Sequence, residues 1–328
     1  MMPVSHKTKV MHLIDDTTAG GVMRVLDHLT NSKELAKDAD HEVRCVPRGA
    51  IWGERTDADV IVSHLSISWR TLPSLIALRL RYPRKKLVHV EHSYTEAFVR
   101  NNVPQVSRFY RLLRTAFKRF DKVVAVSEAQ GAWLKSEGLV SDEKLTVIRS
   151  YVDLKPFESV PRRSGKTSVF GAIGRMDRQK GFDTLIKAFR MTTDPELQLL
   201  FFGTGEEESK LRELAKGDDR IVFMGFVASP TEAYELVDAV VMPSRWEAYG
   251  LVAIEAISSG RVVICSDVDG LQDHEVLGAR LVKDHSAASW RDQLISASNE
   301  TNPPWKQPNL VSTLGAQSAA NWRRLCKT

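Results

Sequence analysis

The chain has 328 residues, of which 43% are hydrophobic and 27% charged, and its net charge at neutral pH is +5. Because single hydrophobic cores stop growing at roughly 250 residues, we expect two domains. Three widely spaced cysteines exclude a disulfide framework and a cysteine-based zinc site. There is no run of 18 apolar residues, and charged residues interrupt the N-terminal segment, so we expect a cytoplasmic protein without a signal peptide.

The first predicted elements are a strand over residues 9–14 and a helix over residues 22–29. Between them lies a turn that contains Gly20 and Gly21. A strand, a glycine turn and a helix can hold a phosphate on backbone amides, although such turns are also common as plain structure.

Two further strand-like runs, residues 60–64 and 86–92, flank a helical stretch over residues 69–82. They end in His64 and His92. Parallel strands bring their terminal side chains to the edge where ligands bind, so both histidines are candidates for a functional role. The alternative for each is a packed or solvated histidine.

Residues 107–120 form an amphipathic and strongly basic predicted helix. Residues 79–120 carry eleven lysines and arginines against only Glu91 and Glu96. Residues 1–160 contain 25 basic and 19 acidic residues, whereas the remainder contains 21 and 22. We therefore predict that the first domain docks on an anionic membrane surface, with a core-facing helix and a solvated basic face as the alternative.

Residues 156–165 have the composition of a linker, so we place a domain boundary at residues 159/160. The first predicted domain is residues 1–159 and the second is residues 160–309. A chain break at residues 302–305 precedes a final predicted helix over residues 310–327.

The second domain begins with a predicted strand over residues 168–173 and a loop that contains Arg175 and Lys180. These side chains place two positive charges at a strand end, where a diphosphate can lie. The next strand, residues 197–202, leads into Gly203 and Gly205, and only such small residues let a ligand approach the backbone closely.

An apolar strand over residues 239–242, a polar turn and a helix that stops at Gly260 form the most informative stretch. Glu247 lies in the turn and Glu255 in the helix, with seven residues between them. Between these carboxylates, the helix N-terminus offers free backbone N–H groups to an anion; the amides are those of Tyr249, Gly250 and Leu251.

This stretch resembles the Glu-x7-Glu signature of retaining glycosyltransferases with the GT-B fold, of the family 4 type found in bacterial polysaccharide and glycolipid biosynthesis. The resemblance implies that Glu247 contacts the transferred sugar and that Glu255 holds the ribose hydroxyls. It also implies that the amides of Gly250 and Leu251 hold the distal phosphate.

Other parts of the chain resemble the same family. The Gly20-Gly21 loop is similar to the one that reaches toward the donor phosphates, and His92 is similar to the residue beside the acceptor and the sugar. The resemblance further implies a donor-phosphate loop and the nucleotide-contacting turns, which here are Arg175, Lys180, Gly203, Gly205 and Phe226. The chain departs from the family pattern at Tyr151 and Leu271.

Asp267 and Asp269 form an Asp-x-Asp pair that would suit a magnesium ion. The resemblance favours a structural role for them, because this family uses basic residues rather than a metal at that place.

We therefore expect a GT-B fold with two Rossmann-like, doubly wound domains that face a cleft, the first for the acceptor and the second for the nucleotide sugar, with the last helix packed back on the first. The expected reaction is retaining and metal-independent transfer, of hexosyltransferase type, from a UDP- or GDP-linked sugar to a glycan or lipid-linked acceptor. No cofactor and no nucleic acid partner are expected, and the enzyme would work in the cytoplasm or on the inner face of the cell membrane.

The residues expected to carry the reaction are His92, Arg175, Lys180 and Glu247. A nucleotide-sugar-binding subunit without transferase activity is the leading alternative, and a sugar epimerase of related fold fits less well.

Overall fold

The structure, a computed structural model, describes residues 7–18, 20–49, 55–163, 165–229, 231–301 and 309–327. It divides into two compact units, Met1–Val152 with Thr313–Thr328, and Asp153–Ser312. Ser164 in the predicted linker and the predicted chain break at residues 302–305 lie outside the described residues.

The first unit is built on one parallel sheet, which has six strands in the described part of the chain, in the order β2-β1-β3-β4-β5-β6. The strands are β1 (Thr8–Ile14), β2 (Ala39–Cys45), β3 (Val60–Ser63), β4 (Lys86–Glu91), β5 (Lys122–Ala125) and β6 (Leu145–Val147). The helices of this part of the chain are α1 (Gly21–Asn31), α2 (Leu72–Arg81), α3 (Glu96–Asn102), α4 (Val106–Phe117) and α5 (Glu128–Ser136).

Helix α4 occupies most of the predicted basic helix, and its apolar side belongs to the core. Leu112, Leu113, Ala116 and Phe117 are buried in the cluster that packs on the sheet. The i, i+3, i+4 spacing of these residues therefore serves packing within the unit.

The second unit is built on another parallel sheet, in which the described strands have the order β12-β11-β10-β7-β8-β9. The strands are β7 (Val169–Ile173), β8 (Gln198–Phe202), β9 (Ile221–Gly225), β10 (Ala239–Met242), β11 (Val262–Ser266) and β12 (Arg280–Val282). The helices are α6 (Lys155–Glu158), α7 (Phe182–Phe189), α8 (Glu208–Ala215), α9 (Glu232–Leu236), α10 (Leu251–Ser258) and α11 (Ala287–Asn299).

Helix α12 (Leu310–Cys326) ends the described chain, and most of it belongs to the first unit. Its Arg323 donates hydrogen bonds to the carboxylates of Glu34 and Asp38. Its Trp322 is buried, and its ring and that of His12 in β1 make an edge-to-face contact with centroids 5.9 Å apart. None of the described helices is long and apolar enough to span a bilayer.

The strand order of each sheet reverses direction at one point. In the first unit the reversal lies between β1 and β3, and in the second between β7 and β10. In open parallel sheets, ligands bind outside the carboxyl ends of the strands at such a point. The predicted α/β fold with two doubly wound units is confirmed, and it fixes where each site should be sought.

The start of β7 is held by one buried carboxylate. Asp238, only 6% exposed, accepts hydrogen bonds from the backbone N–H groups of Ser168 and Val169 at 3.0 and 2.9 Å. Arg163 donates to the same carboxylate group at 3.2 Å. The carboxylate thus joins β7 to the strand that Asp238 precedes, β10.

We expect Asp238→Ala to lower the free energy of unfolding of the second unit by about 3 kcal/mol, because it leaves buried N–H groups without an acceptor. Chemical denaturation of the full chain measures the change. The control is Asp219→Ala, at an exposed position of the same unit, which should change stability by less than about 0.5 kcal/mol. Equal effects of the two variants would contradict the role of Asp238.

Candidate functional site

The loop after β7 carries the first basic candidates. Asp177 caps a short 3-10 turn, Arg178–Lys180, by accepting a hydrogen bond from the backbone N–H of Lys180. Arg175 is exposed, and its guanidinium lies 3.4 Å from the Asp177 carboxylate. The loop therefore presents Arg175 to solvent and turns Lys180 toward the neighbouring strand.

Lys180 meets Glu247 across the point where the strand order reverses. The Lys180 Nζ lies 2.5 Å from Oε2 of Glu247, in the loop after β10. The two side chains are 16% and 13% exposed. Two residues predicted to act on one ligand are thus in direct contact, whereas no contact joins Arg175 to either of them among the described residues.

The two loops are tied together around this pair. Arg245 donates to both carboxylate oxygens of Asp183 at 2.8 and 2.9 Å and to the carbonyl of Arg178 at 2.7 Å. The Gln179 side chain donates to the carbonyl of Trp246 at 3.1 Å. These bonds fix the positions of Lys180 and Glu247 on rigid backbone.

Helix α10 starts at Leu251, next to the carboxylate of Glu247. Gly250 precedes it with a φ of 88°, and a Cβ there would lie 2.6 Å from Leu271, so only glycine fits. The amides of Gly250 and Leu251 donate no hydrogen bond within the described chain. They are placed to receive an anion at the helix N-terminus.

The Asp-x-Asp pair contributes to this architecture. Asp269 accepts a hydrogen bond from the backbone N–H of Glu247 at 3.2 Å. Asp267 accepts one from the Gln272 side chain at 2.8 Å. No group of three histidines, cysteines or carboxylates that could hold a metal ion occurs in the described part of the chain.

The loops after β7 and β8 touch through their backbones. A Cβ at Gly203 would lie 2.1 Å from the carbonyl oxygen of Gly174, and one at Gly205 would lie 2.4 Å from that of Met176. Close packing of the two loops therefore requires glycine at both positions, on either side of the contact with the Arg175 loop. Phe226, which follows β9, is 75% exposed.

Glu255 is buried on the inner side of α10. It is 2% exposed, and one of its carboxylate oxygens accepts a hydrogen bond from the Tyr234 hydroxyl at 2.7 Å. The predicted contact between Glu255 and a ribose stays a prediction. Tyr249 is also buried: its carbonyl accepts from Nε2 of His274 at 2.7 Å, and the centres of the two rings lie 4.7 Å apart.

In the first unit, α1 begins directly after the predicted glycine turn. Gly20 occupies the cap position and Gly21 the first helical position. A Cβ at Gly20 would meet nothing closer than the carbonyl of Thr18, at 3.8 Å. Packing within the described residues therefore does not require a glycine here, and the predicted contact of this turn with the donor phosphates stays a prediction.

The departure at Tyr151 has a packing explanation. The Tyr151 ring lies edge-on to His28 of α1, with centroids 5.0 Å apart. A Cβ at Gly315 of α12 would lie 2.9 Å from its hydroxyl oxygen. Tyr151 therefore fills the space between α1 and α12.

His92 stands at the end of a row of four hydrogen-bonded imidazoles, which we call the histidine row. His41 Nδ1 lies 2.9 Å from His12 Nε2, and His12 Nδ1 lies 2.9 Å from His64 Nε2. His64 Nδ1 lies 2.8 Å from His92 Nε2. His12 is fully buried and His64 nearly so, while His41 and His92 are half-buried.

The sequence analysis singled out His64 and His92 but missed His12 and His41. In the order His41, His12, His64 and His92, each histidine after the first lies two positions beyond the residue that the strand register aligns with the histidine before it. A shift of two positions keeps side chains on one face of a sheet. The row therefore runs diagonally across β2, β1, β3 and β4, a pattern visible only once the strand order and register are known.

Burial keeps the histidine row neutral. Loss of solvation lowers the pKa of His41 and of His92 to about 4, and it lowers the pKa of His12 and His64 well below the usual value. Each ring at neutral pH therefore has one N–H and one bare nitrogen, as a hydrogen-bonded row requires.

Comparisons with known proteins agree with both units. Residues 35–155 match the family model described as Glycosyltransferase Family 4, and residues 167–300 match the one described as Glycosyl transferases group 1. An uncharacterised glycosyltransferase of Methanocaldococcus jannaschii is 26% identical over 270 residues, which cover 76% of this chain and 68% of that protein.

The phosphatidyl-myo-inositol mannosyltransferase of Mycobacterium leprae is 31% identical over 256 residues, or 73% of this chain and 64% of that protein. The crystal structure of Anabaena HepE in complex with UDP and glucose shares the fold, with a TM-score of 0.65 at 16% identity over 97% of this chain and 94% of that chain. The chain therefore spans 68% and 64% of the length of the two curated relatives.

The two parallel sheets and these matches define the class: the chain belongs to the glycosyltransferases with the GT-B fold. The predicted GT-B fold and the predicted enzyme class are both confirmed.

The contact between Lys180 and Glu247 is testable without any substrate. In a double-mutant cycle of Lys180→Met and Glu247→Gln, measured by chemical denaturation, we expect a coupling energy of about 1–3 kcal/mol, because each single change leaves a partly buried charge unpaired. The same cycle on Lys210 and Glu207, a pair with an exposed lysine, should give less than about 1 kcal/mol. A coupling near zero for the first pair would contradict the contact.

Proposed function

We propose that the chain transfers a sugar from a nucleotide diphosphate sugar to a glycan or lipid-linked acceptor, with retention of anomeric configuration and without a metal ion. The observation that carries the proposal is the contact of Lys180 with Glu247 beside the free amides of α10. A cation, a carboxylate and a helix N-terminus meet where an α/β sheet binds its ligands.

These groups suit the departure of a diphosphate from a sugar. The leaving group gains negative charge in the transition state, while the sugar becomes oxocarbenium-like. Arg175, Lys180 and the N-terminus of α10 would stabilise the diphosphate electrostatically. Glu247, held through its backbone by Asp269, would hold sugar hydroxyls. Since these charges are fixed by the protein, the step needs no metal.

A UDP- or GDP-linked donor fits the rest of the second unit. Gly203 and Gly205 hold the loop after β8 against the loop that carries Arg175, and Phe226 is exposed at the end of β9. HepE, which shares this fold, was crystallised with UDP and glucose, and this supports a nucleotide sugar of hexose type as the donor. We place the ribose near Glu255.

The acceptor belongs to the first unit in this proposal. His92 lies at the carboxyl edge of the sheet, and its Nδ1 has no hydrogen-bond partner among the described residues, so that this atom remains available to an acceptor hydroxyl. The spacing of Glu247 and Glu255 supports retention and the family 4 type. The relatives reported above are transferases, which favours an enzyme over a binding subunit.

We expect Arg175→Ala and Lys180→Ala each to lower the rate of transfer about a hundredfold, on the scale of losing one preorganised donor. The measurement is a steady-state assay with the UDP- or GDP-sugar that gives the largest thermal stabilisation of the chain. The control is Lys187→Ala, at an exposed position on α7. A chelator should leave the rate unchanged. Rates within a few-fold of the parent for Arg175→Ala and Lys180→Ala would show that the diphosphate is held elsewhere.

We also propose that the first unit docks on an anionic membrane surface through the basic face of α4 and its surroundings. Because the apolar side of α4 is buried in the core, the attachment would be electrostatic rather than an insertion of that side. The exposed basic residues of this region are Arg84, Arg100, Arg108, Arg111, Arg114 and Lys118.

Exposed apolar side chains accompany these charges. Trp69, Leu80 and Val106 are 46%, 75% and 39% exposed, and the Arg108 guanidinium lies 5.6 Å from the centre of the Trp69 ring. Aromatic and basic side chains together suit the boundary between headgroups and water. The relative from Mycobacterium leprae is named for a lipid acceptor, which supports an acceptor delivered from a membrane.

We expect the triple variant Arg108→Ser, Arg111→Ser and Lys118→Ser to lower partition onto liposomes with anionic lipid roughly a hundredfold, since each basic residue contributes about 1 kcal/mol. Flotation with and without anionic lipid measures this. A second triple variant, Lys187→Ser, Lys210→Ser and Lys216→Ser, makes the same charge change on the second unit and should bind like the parent. Equal recovery on neutral and anionic liposomes would refute the docking.

A further inference from the structure

We propose that the histidine row is a proton relay between His92, at the carboxyl edge of the first sheet, and His41, on the edge strand β2. Its two outer nitrogens, Nδ1 of His92 and Nε2 of His41, have no hydrogen-bond partner among the described residues. Neither belongs to the buried polar atoms without a partner, so both ends are open to solvent or ligand.

The distances favour hydrogen bonds over a metal site. The neighbouring nitrogens of His41, His12, His64 and His92 are 2.8–2.9 Å apart. A zinc ion needs each nitrogen at about 2.0–2.1 Å, which would separate two such ligands by more than 3 Å. Only a proton fits between these rings.

The connectivity gives the row a direction. Each contact joins Nδ1 of one ring to Nε2 of the next. With every ring neutral, the contacts are satisfied in two ways: all rings carry their proton on Nδ1, or all carry it on Nε2. In the first state His92 Nδ1 is a donor, and in the second it is a bare nitrogen that can accept a proton. A ring in the other tautomer inside the row would leave one of the hydrogen bonds without a donor and another without an acceptor.

The relay gives a balanced proton transfer, and this step rests on the proposed function. The acceptor hydroxyl loses its proton to His92 Nδ1 as its oxygen bonds to the sugar. His92 Nε2–H passes its proton to His64 Nδ1, and the same step is repeated from His64 to His12 and from His12 to His41. His41 Nε2–H releases a proton to water. Every ring is neutral before and after, so no charge is left in the buried part of the row.

The row resets when the product has left. His92 Nδ1–H then loses its proton to water, and His41 Nε2 takes one up. The passage in both directions needs no change in the position of a ring.

Charged groups act on the row at its two ends. The Glu91 carboxylate raises the pKa of His92, while burial and the nearby His89 lower it more. Burial likewise lowers the pKa of His41 more than the Asp40 carboxylate raises it. Glu91 also accepts hydrogen bonds from the backbone N–H groups of Ser93 and Tyr94, so it fixes the turn on which His92 is carried. The Trp322 ring that adjoins His12 does not titrate.

The test uses histidine-labelled full-length protein and the NMR signals that report which ring nitrogen is protonated. In the wild type, all four rings should show the same ratio of the Nδ1–H to the Nε2–H tautomer. His41→Glu provides only an acceptor for His12 Nε2, so it should shift His92 to the Nε2–H form. His41→Lys provides only a donor, so it should shift His92 to the Nδ1–H form. Opposite shifts across three hydrogen bonds are the result that a row with merely structural bonds would not give.

Two matched variants control for charge on the same strand. Arg44→Gln and Glu42→Gln change the charge by the same amounts as His41→Glu and His41→Lys, and they should leave the His92 tautomer as it is. Different tautomers among the four wild-type rings, or a His92 signal that is the same in both His41 variants, would overturn the relay. The wild-type measurement alone decides the matter if a His41 variant does not fold.

Transfer assays separate this proposal from the proposed function. If the acceptor proton leaves through the row, His41→Lys should lower kcat at least tenfold, as loss of a general base does, with the KM for the donor unchanged. If the two His41 variants shift the His92 tautomer in opposite directions but no form of the protein transfers a sugar, the relay stands and the proposed transfer reaction is rejected. If the wild type transfers a sugar but the His92 tautomer is the same in both His41 variants, the proposed function stands and the relay is rejected.

Discussion

The structure depends on the reversal of strand order inside each parallel sheet. At that point the loops of two adjacent strands leave in opposite directions and open a space that no crossover helix fills. In the second unit this space lies between β7 and β10, and the Lys180–Glu247 pair spans it. In the first unit it lies between β1 and β3, and the His12–His64 hydrogen bond spans it. Each unit thus joins polar groups from loops or strands that are distant in sequence at the same topological position.

The elements of the second unit could be predicted well from the sequence because its loops are short and their neighbours are strongly apolar strands. The loop of Arg175 and Lys180 and the turn of Glu247 lie at the carboxyl ends of β7 and β10, as the residue patterns indicated. That Lys180 contacts Glu247 directly, while Arg175 is exposed, could not be predicted. Such a contact depends on which strands are adjacent and on the turn that directs each side chain.

The histidine row shows what register adds. Two of its members lie in β1 and β2 and two directly follow β3 and β4, and nothing local distinguishes His12 or His41 from a packed histidine. For α4 the difficulty was of another kind, since the spacing of Leu112, Leu113, Ala116 and Phe117 is the same whether a helix faces a core or a membrane. Only the burial of these residues decides between the two. Tyr151 likewise takes its place from α12, which is remote in sequence.

The backbone contact at Gly203 bears on how such a protein can diverge. The Gly174 carbonyl oxygen occupies the space that the Cβ of any larger residue at position 203 would need. Substitution of Gly203 would therefore disrupt the contact between the two loops. Thr204 and Glu206, beside it, are exposed and carry no such constraint. Substitutions can therefore accumulate at positions 204 and 206 without loss of the fold, while position 203 has to stay glycine.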